Sequence, residues 1–410
     1  MSASAMTVGT PFLQLGSALP NANLVGRQDL RSGWVLGNGF PRVIAGGGVT
    51  QTAANRAAPR RRSTYLARAA AQVQEGEMSN RPTGGVEVYQ PASYDVLLSD
   101  AANAVMYALE DGKQRLEVDF PYDVTVGKEH HLRPLPSSVS GYKGSSDEFI
   151  DANIQLAFAL ARKLNELKGW STKIVFPDGP EKRRALRVFK SALELTQCVI
   201  FGSLEDLPAD VRGAARDLLG QIKGFFDFDF EEDTSGKDTF VPDVYLVIGA
   251  TTNELPNVKE YIDYFAKDRP VALFNLETDT LRADLGLFGF PSKDVHYKFL
   301  SQFQPVFYIR TRDYSKSVPV APFILNYSGA LFRQYPGPWQ VMLKQGDGSY
   351  ACVAESAQRF TLFQTKAELL ISIGLQEVEG STMAFLRSGY KTSTWWEDDL
   401  ELEESSDWRT

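Results

Sequence analysis

Polar side chains able to grip a small anion gather in three short stretches, each following an apolar run: Phe176-Pro-Asp-Gly-Pro180, Gly249 to Pro256 and Asn275 to Asp279. Open α/β sheets bind ligands outside the carboxyl ends of their strands, so Asp178, Thr251, Thr252 and Asn275 define a candidate strand-end pocket. Asp178 has a second use. With Glu181 three positions on, it makes an N-cap and N3 pair for a following helix, and its negative charge opposes a phosphate there. Asn257 and Glu260 repeat that spacing. Gly249, Thr251 and Thr252 suit anion donors and ordinary loop residues equally.

The familiar nucleotide grips are missing. Neither G-x-x-x-x-G-K-[ST] nor G-x-G-x-x-G follows any predicted strand, and the Gly-rich stretch Gly37 to Gly48 lies near the start of the chain. A Ser-His-Asp hydrolase needs a nucleophile elbow, and none is visible. His130, His131 and His296 are the only histidines; the adjacent pair falls in a polar stretch and reads as solvated rather than metal-bound. Cys198 and Cys352 have neither metal-ligand spacing nor a disulfide-dense context and read as buried free thiols. No catalytic residue, cofactor or metal is therefore expected.

Three features suggest contacts with a partner. Lys182, Arg183, Arg184, Arg187 and Lys190 form a basic stripe opposite Ala185, Val188, Phe189 and Ala192. Such a stripe is either a solvated helix face or a seat for an anionic partner or lipid surface. Phe225-Phe-Asp-Phe-Asp-Phe-Glu-Glu-Asp233 alternates aromatics with acids, which fits an exposed recognition loop presenting Phe226 and Phe228 or a strand edge leading into an acidic turn. Trp395, Trp396 and Trp408 sit in an acidic tail, where indoles seek burial or a partner's pocket.

The elements that position these residues follow from periodicity. Leu97, Ala101, Ala104, Val105 and Ala108 mark a helix from Tyr94, ended by Asp111-Gly112. Arg115-Leu-Glu-Val-Asp-Phe120 alternates as a half-buried strand does, and Pro121 to Asp147 reads as a polar loop. Ile150, Ile154, Phe158 and Ala161 restart a helix that fades near Gly169. Strands at Thr172 to Phe176, Cys198 to Phe201, Val244 to Ile248 and Val271 to Phe274 then alternate with helices from Glu181, near Ala209 to Lys223, and at Asn257 to Phe265. This is the grammar of a mainly parallel, Rossmann-like α/β sheet with helices on both faces. Beyond Gln304, strand-like runs follow one another at Val306 to Ile309, Phe323 to Tyr327, Trp339 to Leu343 and Tyr350 to Val353. They predict a C-terminal antiparallel β extension, closed by a helix that Thr365 and Glu368 cap.

Charge is divided unevenly. The first 74 residues hold eight arginines, no lysine and a single acid, Asp29, among serines, alanines and glycines, the composition of an organelle transit peptide. Without them, 35 bases face 50 acids, a net charge of about −15 that repels nucleic acid. No stretch reaches the roughly 18 apolar residues of a membrane span. The expected order is therefore a transit peptide over 1–75, a linker over 76–91, an α/β domain over 92–390 and a Trp-rich acidic tail over 391–410. The mature part is expected to be soluble, or at most peripheral on a membrane.

Several of these stretches resemble a known family. Tyr94 with Ala108-Leu-Glu-Asp-Gly-Lys-Gln-Arg-Leu-Glu-Val-Asp-Phe-Pro121, Phe149-Ile-Asp-Ala-Asn153, Ile174-Val-Phe-Pro-Asp178 and Val271-Ala-Leu-Phe-Asn275 are similar, in order, to the plant and algal low-photosystem-II-accumulation proteins. The resemblance runs from about Tyr89 to Thr410. It implies a factor in the chloroplast stroma, peripheral on the thylakoid at most, that helps incorporate the chlorophyll-binding inner-antenna subunit encoded by psbC into photosystem II. A membrane-bound companion and the thylakoid insertase are its implied partners. Related copies of the domain are fused to a plastid adenylate kinase, so a plastid enzyme or a nucleotide- or phosphometabolite-binding module using the strand-end pocket is the alternative.

Overall fold

The structure is a computed structural model and describes residues 81–82, 84–120, 124–126, 130–132, 147–208, 240–314, 327–375, 377–378, 380–383 and 391–410. The segment read as a leader, the helix read near Ala209 to Lys223, Phe226, Phe228 and most of the run Phe323 to Tyr327 lie outside the described residues. The described residues fall within one compact unit, Glu77–Thr410.

Helix α1 (Tyr94–Glu110) forms where the periodicity places it. Ser93 accepts from Val96 N at 3.2 Å to cap its start, and Leu97, Ala101, Ala104, Val105 and Ala108 are buried along one face. Gly112, at φ +77°, lets the chain turn into strand β2 (Arg115–Asp119). A small antiparallel pair, β3 (Val124–Val126) and β4 (His130–Leu132), occupies part of the stretch expected to be loop. Helix α2 (Asp147–Lys168) then leads to β5 (Thr172–Phe176). Two short helices, α3 (Gly179–Val188) and α4 (Lys190–Leu195), precede β6 (Val199–Ser203).

Strand β7 (Val244–Val247), helix α5 (Leu255–Phe265) and strand β8 (Val271–Phe274) continue the alternation. Helices α6 (Thr278–Asp284) and α7 (Asp294–Lys298) lead to the long strand β9 (Gln304–Asp313). Strands β10 (Ser328–Gln334), β11 (Trp339–Lys344) and β12 (Tyr350–Ser356) follow as a meander. Helix α8 (Leu362–Ser372) and the short α9 (Trp395–Asp398) complete the order.

The main sheet has ten strands in the order β1-β12-β11-β10-β9-β2-β8-β7-β5-β6, where β1 is Val88–Tyr89. From β9 to β6 every pairing is parallel; from β9 back to β1 every pairing is antiparallel. The expected fold class therefore holds. One core cluster joins α1, α2 and Ala185 of α3 to Ile174, Phe176, Leu246, Ala272 and Phe274. A second joins α5 and the segment after α7 to Val175, Tyr245, Val247, Val271 and Leu273. Consecutive side chains of each strand thus enter opposite cores, which is why β5, β7 and β8 read as unbroken apolar runs.

Four local expectations are corrected. Val88–Tyr89, inside the stretch read as a linker, pairs with Ala351 and Tyr350 of β12. Strand β2 is buried on both faces, because it lies between β8 and β9 rather than at an edge. Helix α8 starts a turn earlier than expected: Thr361 caps it with Gln364, while Thr365 is buried and donates back to Thr361 O at 2.9 Å. Asn257 lies inside α5, whose approach is fixed by Thr251 and Glu254 instead.

Candidate functional site

The chain leaving β5 turns to β6 on one side, and the chain leaving β7 turns to β8 on the other. Their carboxyl ends frame a crevice of the kind in which α/β proteins hold ligands. Asp178 and Thr251 stand at this mouth. Asp178 Oδ1 accepts from Glu181 N at 2.8 Å, and Thr251 N and Oγ1 donate to Glu254 Oε2 at 2.6 and 2.9 Å. Burial, with Asp178 and Glu254 adding to it, pushes the Glu181 carboxyl up to about 7. The mouth is therefore acidic and its polar groups are spent on caps, so it disfavours phosphate.

The other two expected pocket residues point elsewhere. Thr252 is buried and donates to Asp284 Oδ2 at 3.2 Å. Asn275, at φ 52°, accepts from Phe120 N at 2.7 Å and donates to Asn153 Oδ1 at 2.8 Å, tying β8 to β2 and α2. The four residues do not converge on one pocket. Each instead holds a turn in place.

What converges is a buried charge centre at the ends of β2, β8 and β9. Asp279 Oδ1 accepts from Arg282 Nη1 and Arg359 Nη2, each at 3.0 Å. Its Oδ2 accepts from Arg359 Nη2 at 2.8 Å, Tyr308 OH at 3.1 Å and Arg312 Nη2 at 3.2 Å. Burial raises the Asp279 carboxyl, but Arg359, Arg312 and Arg282 outweigh it and hold the group well below the usual carboxylate range. Glu117 of β2 meets the opposite fate: burial, then the neighbouring Asp119, pushes it up to about 7 against Arg282 and Arg359. Thr278 Oγ1 donates to Glu117, and Arg310 pairs with Glu277 at 3.4 Å. Asn275 and Glu277 both have left-handed backbones, an uncommon choice for side chains larger than glycine; the Glu277 side chain is paired into this centre, while that of Asn275 is bonded to Phe120 and Asn153 beside it.

The tail closes the centre from the other side. Arg282 Nε can only donate, so His296 Nδ1 accepts from it at 3.2 Å and His296 Nε2 donates to Glu403 Oε1 at 2.8 Å. Trp408 Nε1 donates to the same Glu403 oxygen at 3.0 Å, and Arg409 pairs with Glu403 Oε2 at 2.9 Å. The Arg282 guanidinium lies 4.7 Å from the Trp408 ring centroid and that of Arg359 5.1 Å. Trp395 Nε1 donates to Arg282 O at 3.1 Å. Trp396 and Trp408 are buried and Trp395 half-buried, so their expected role as free partner anchors is corrected: Trp395 and Trp408 find indole acceptors, and Trp396 its packing, within this chain.

A cavity of about 20 Å³ adjoins Asp279, Arg310, Arg312 and Arg359, which is room for one water and not for a metabolite. A roomier cavity of about 310 Å³ lies far along the sheet, between the segment around Tyr89 and Phe332, Gln334 and Gln340 of β10 and β11. Among the described residues no group of three or more His, Cys, Asp or Glu is arranged to hold a metal ion. The thiols of Cys198 and Cys352 are free but half-buried rather than buried, and burial pushes that of Cys352 up to about 11.

The basic stripe on α3 is only partly available. Lys182 pairs with Asp206 at 2.9 Å, and Arg184 forks onto Asp151 at 2.7 and 3.0 Å. Arg183 and Arg187 are exposed, as is Lys190, which opens α4 beyond the break at Phe189, so the stripe read as one helix face is split between two helices. His130 and His131 lie in β4 rather than in a loop.

The features above define a doubly wound α/β domain with an antiparallel extension, whose strand-end polar groups serve as caps and inter-element ties and whose middle is an internally neutralised ion cluster. The chain belongs to the family described as Domain of unknown function (DUF1995), which matches residues 91–367. Glu403 and Trp408 thus complete the charge centre from outside the matched segment. No curated protein and no solved structure matches the chain.

Proposed function

We propose that the protein is an auxiliary factor of the chloroplast stroma that assists photosystem II assembly by helping incorporate the inner-antenna subunit encoded by psbC through transient protein contacts. The ordered resemblance from Tyr94 through Asn275 carries this reading. The family match over 91–367 supports it, as does the arginine-rich, acid-poor composition of the first 74 residues. No helix among the described residues is long and apolar enough to cross a membrane, consistent with a factor that visits the thylakoid surface and works with a membrane-bound companion and the insertase. Asp178, Thr251, Thr252 and Asn275 each hold a local turn, which favours a binding scaffold over a catalyst.

Pulse labelling in a null plant tests the proposal. Reduced accumulation of newly made inner-antenna protein is expected; normal synthesis and accumulation would exclude it. The rival reading, a phosphometabolite module, is opposed by the acidic mouth around Glu181. Calorimetry against nucleotides and phosphosugars is expected to be flat, and a saturable heat would favour the rival.

A further inference from the structure

Between α6 and α7, Asp284-Leu-Gly-Leu-Phe-Gly-Phe-Pro291 forms a tight loop pinched by Gly286 N donating to Pro291 O at 2.8 Å. Gly286 and Gly289 have φ values of +81° and +86°, which side chains larger than glycine rarely adopt. Leu285 is buried and anchors the base, while Leu287, Phe288 and Phe290 are 55%, 104% and 39% exposed. Burying such a side chain is worth roughly 1.5–3 kcal/mol, and this loop uses two glycines to hold a phenyl ring wholly in solvent. Folding gains nothing from that arrangement. A partner does.

Lys293 ties the loop to the tail. A Cβ on Gly286 would stand 3.2 Å from Lys293 Cγ, and Lys293 Nζ holds Asp399 at 3.0 Å, the residue that exposed Leu400 follows directly and whose turn holds exposed Leu402. Along the chain these apolar residues are flanked by Asp284, Asp294, Asp399, Glu401 and Glu404. The two nearby lysines, Lys293 and Lys298, are already paired with Asp399 and Asp294. An apolar centre with an acidic rim complements a polypeptide that is apolar and basic, and it repels an anionic lipid surface.

We infer that the loop Leu287–Phe290 and the adjoining Leu400–Leu402 turn dock a Lys/Arg-rich, stroma-facing loop of a thylakoid membrane protein. Membrane proteins concentrate Lys and Arg in the loops left on the insertion side, and emerging helix ends supply the apolar part. The inference rests on the assembly reading for the compartment and the membrane partner; the surface itself rests on exposure, backbone and charge.

The test places a photo-crosslinking benzoylphenylalanine at position 288 of the full chain, imports it into isolated chloroplasts and maps the adduct. The expected adduct joins residue 288 to a basic stromal segment of a thylakoid membrane protein, with a yield that falls with salt. It should drop roughly tenfold when Leu287→Ser and Phe290→Ser are combined, the loss of about 1.4 kcal/mol or more that a docking anchor carries. The same probe at exposed Tyr264 should give no such adduct. Adducts to lipid alone, to the Arg183 and Arg187 face of a second copy, or to nothing would overturn the inference. Comigration of the unmodified chain with photosystem II intermediates, scored in parallel, separates the two failures. Comigration without the adduct rejects this surface alone, whereas a basic stromal adduct on a protein outside photosystem II supports the surface and rejects the assembly reading.

Discussion

Glu403 accepts a hydrogen bond from His296 Nε2 at 2.8 Å, joining α7 to the acidic tail across 107 positions of chain. Both side chains are buried, and the same carboxylate also serves Trp408 and Arg409. One residue therefore satisfies two donors that the fold has taken out of water and pairs with a part-exposed guanidinium as well. The tail is a structural strap rather than a free arm.

Glu403→Ala is expected to cost about 2–4 kcal/mol, because it leaves a buried indole N–H and a buried imidazole N–H unpartnered and removes the ion pair to part-exposed Arg409. Exposed Glu404→Ala should stay within about 0.5 kcal/mol. Urea unfolding followed by tryptophan fluorescence checks both, and equal effects would contradict the strap.

His296 gives the strap a pH dependence. Burial lowers its pKa to about 4 from an ordinary 6.5. As pH falls through that window the unfolded chain takes a proton that the folded chain refuses, so native stability drops by up to about 3 kcal/mol and levels off below pH 4. Comparison with His296→Asn isolates the group: the native advantage should shrink from pH 6.5 to 4, and a constant gap would refute the assignment.

Glu117 works in the opposite direction. Its pKa is raised from 4.5 to about 7, so the folded chain keeps a proton that the unfolded chain releases, and stability is lost as pH rises through that range. Glu117→Gln cannot lose it. Thermal melts should therefore show the native protein losing ground to the variant between pH 4.5 and 7.

Asn275→Ala removes the acceptor of Phe120 N and the donor to Asn153, both buried, while keeping a left-handed backbone that alanine resists. A loss of about 1–3 kcal/mol is expected from the orphaned amide alone. Ligand titrations of the folded variant should match the native protein, since the residue ties strands together instead of lining a pocket.

Much of the scaffold was legible in the chain. Thr172–Phe176 and Val271–Phe274 coincide with the predicted strands, because apolar runs bounded by caps and glycines have few other solutions. The charge centre was not. Glu117 and Asp119 alternate with Leu116 and Val118, a pattern indistinguishable locally from a half-exposed strand. Arg282 and Arg359 facing Glu117, and Arg310 facing Asp119, all contributed from over 160 residues downstream, make their burial tenable. The Leu-Glu-Val-Asp run beside arginine-bearing β9 was the available signal. The tail misled for a similar reason: its acids suggest solvent, yet Glu403 faces inward and Trp408 is 1% exposed.

The assembly reading is tested most directly by mild crosslinking of isolated chloroplasts followed by native gel electrophoresis and detection of this protein. The account predicts that a fraction migrates with photosystem II intermediates containing the psbC product and returns to the soluble front when thylakoid protein synthesis is blocked. Migration solely with soluble stromal complexes, unchanged by that block, would contradict it.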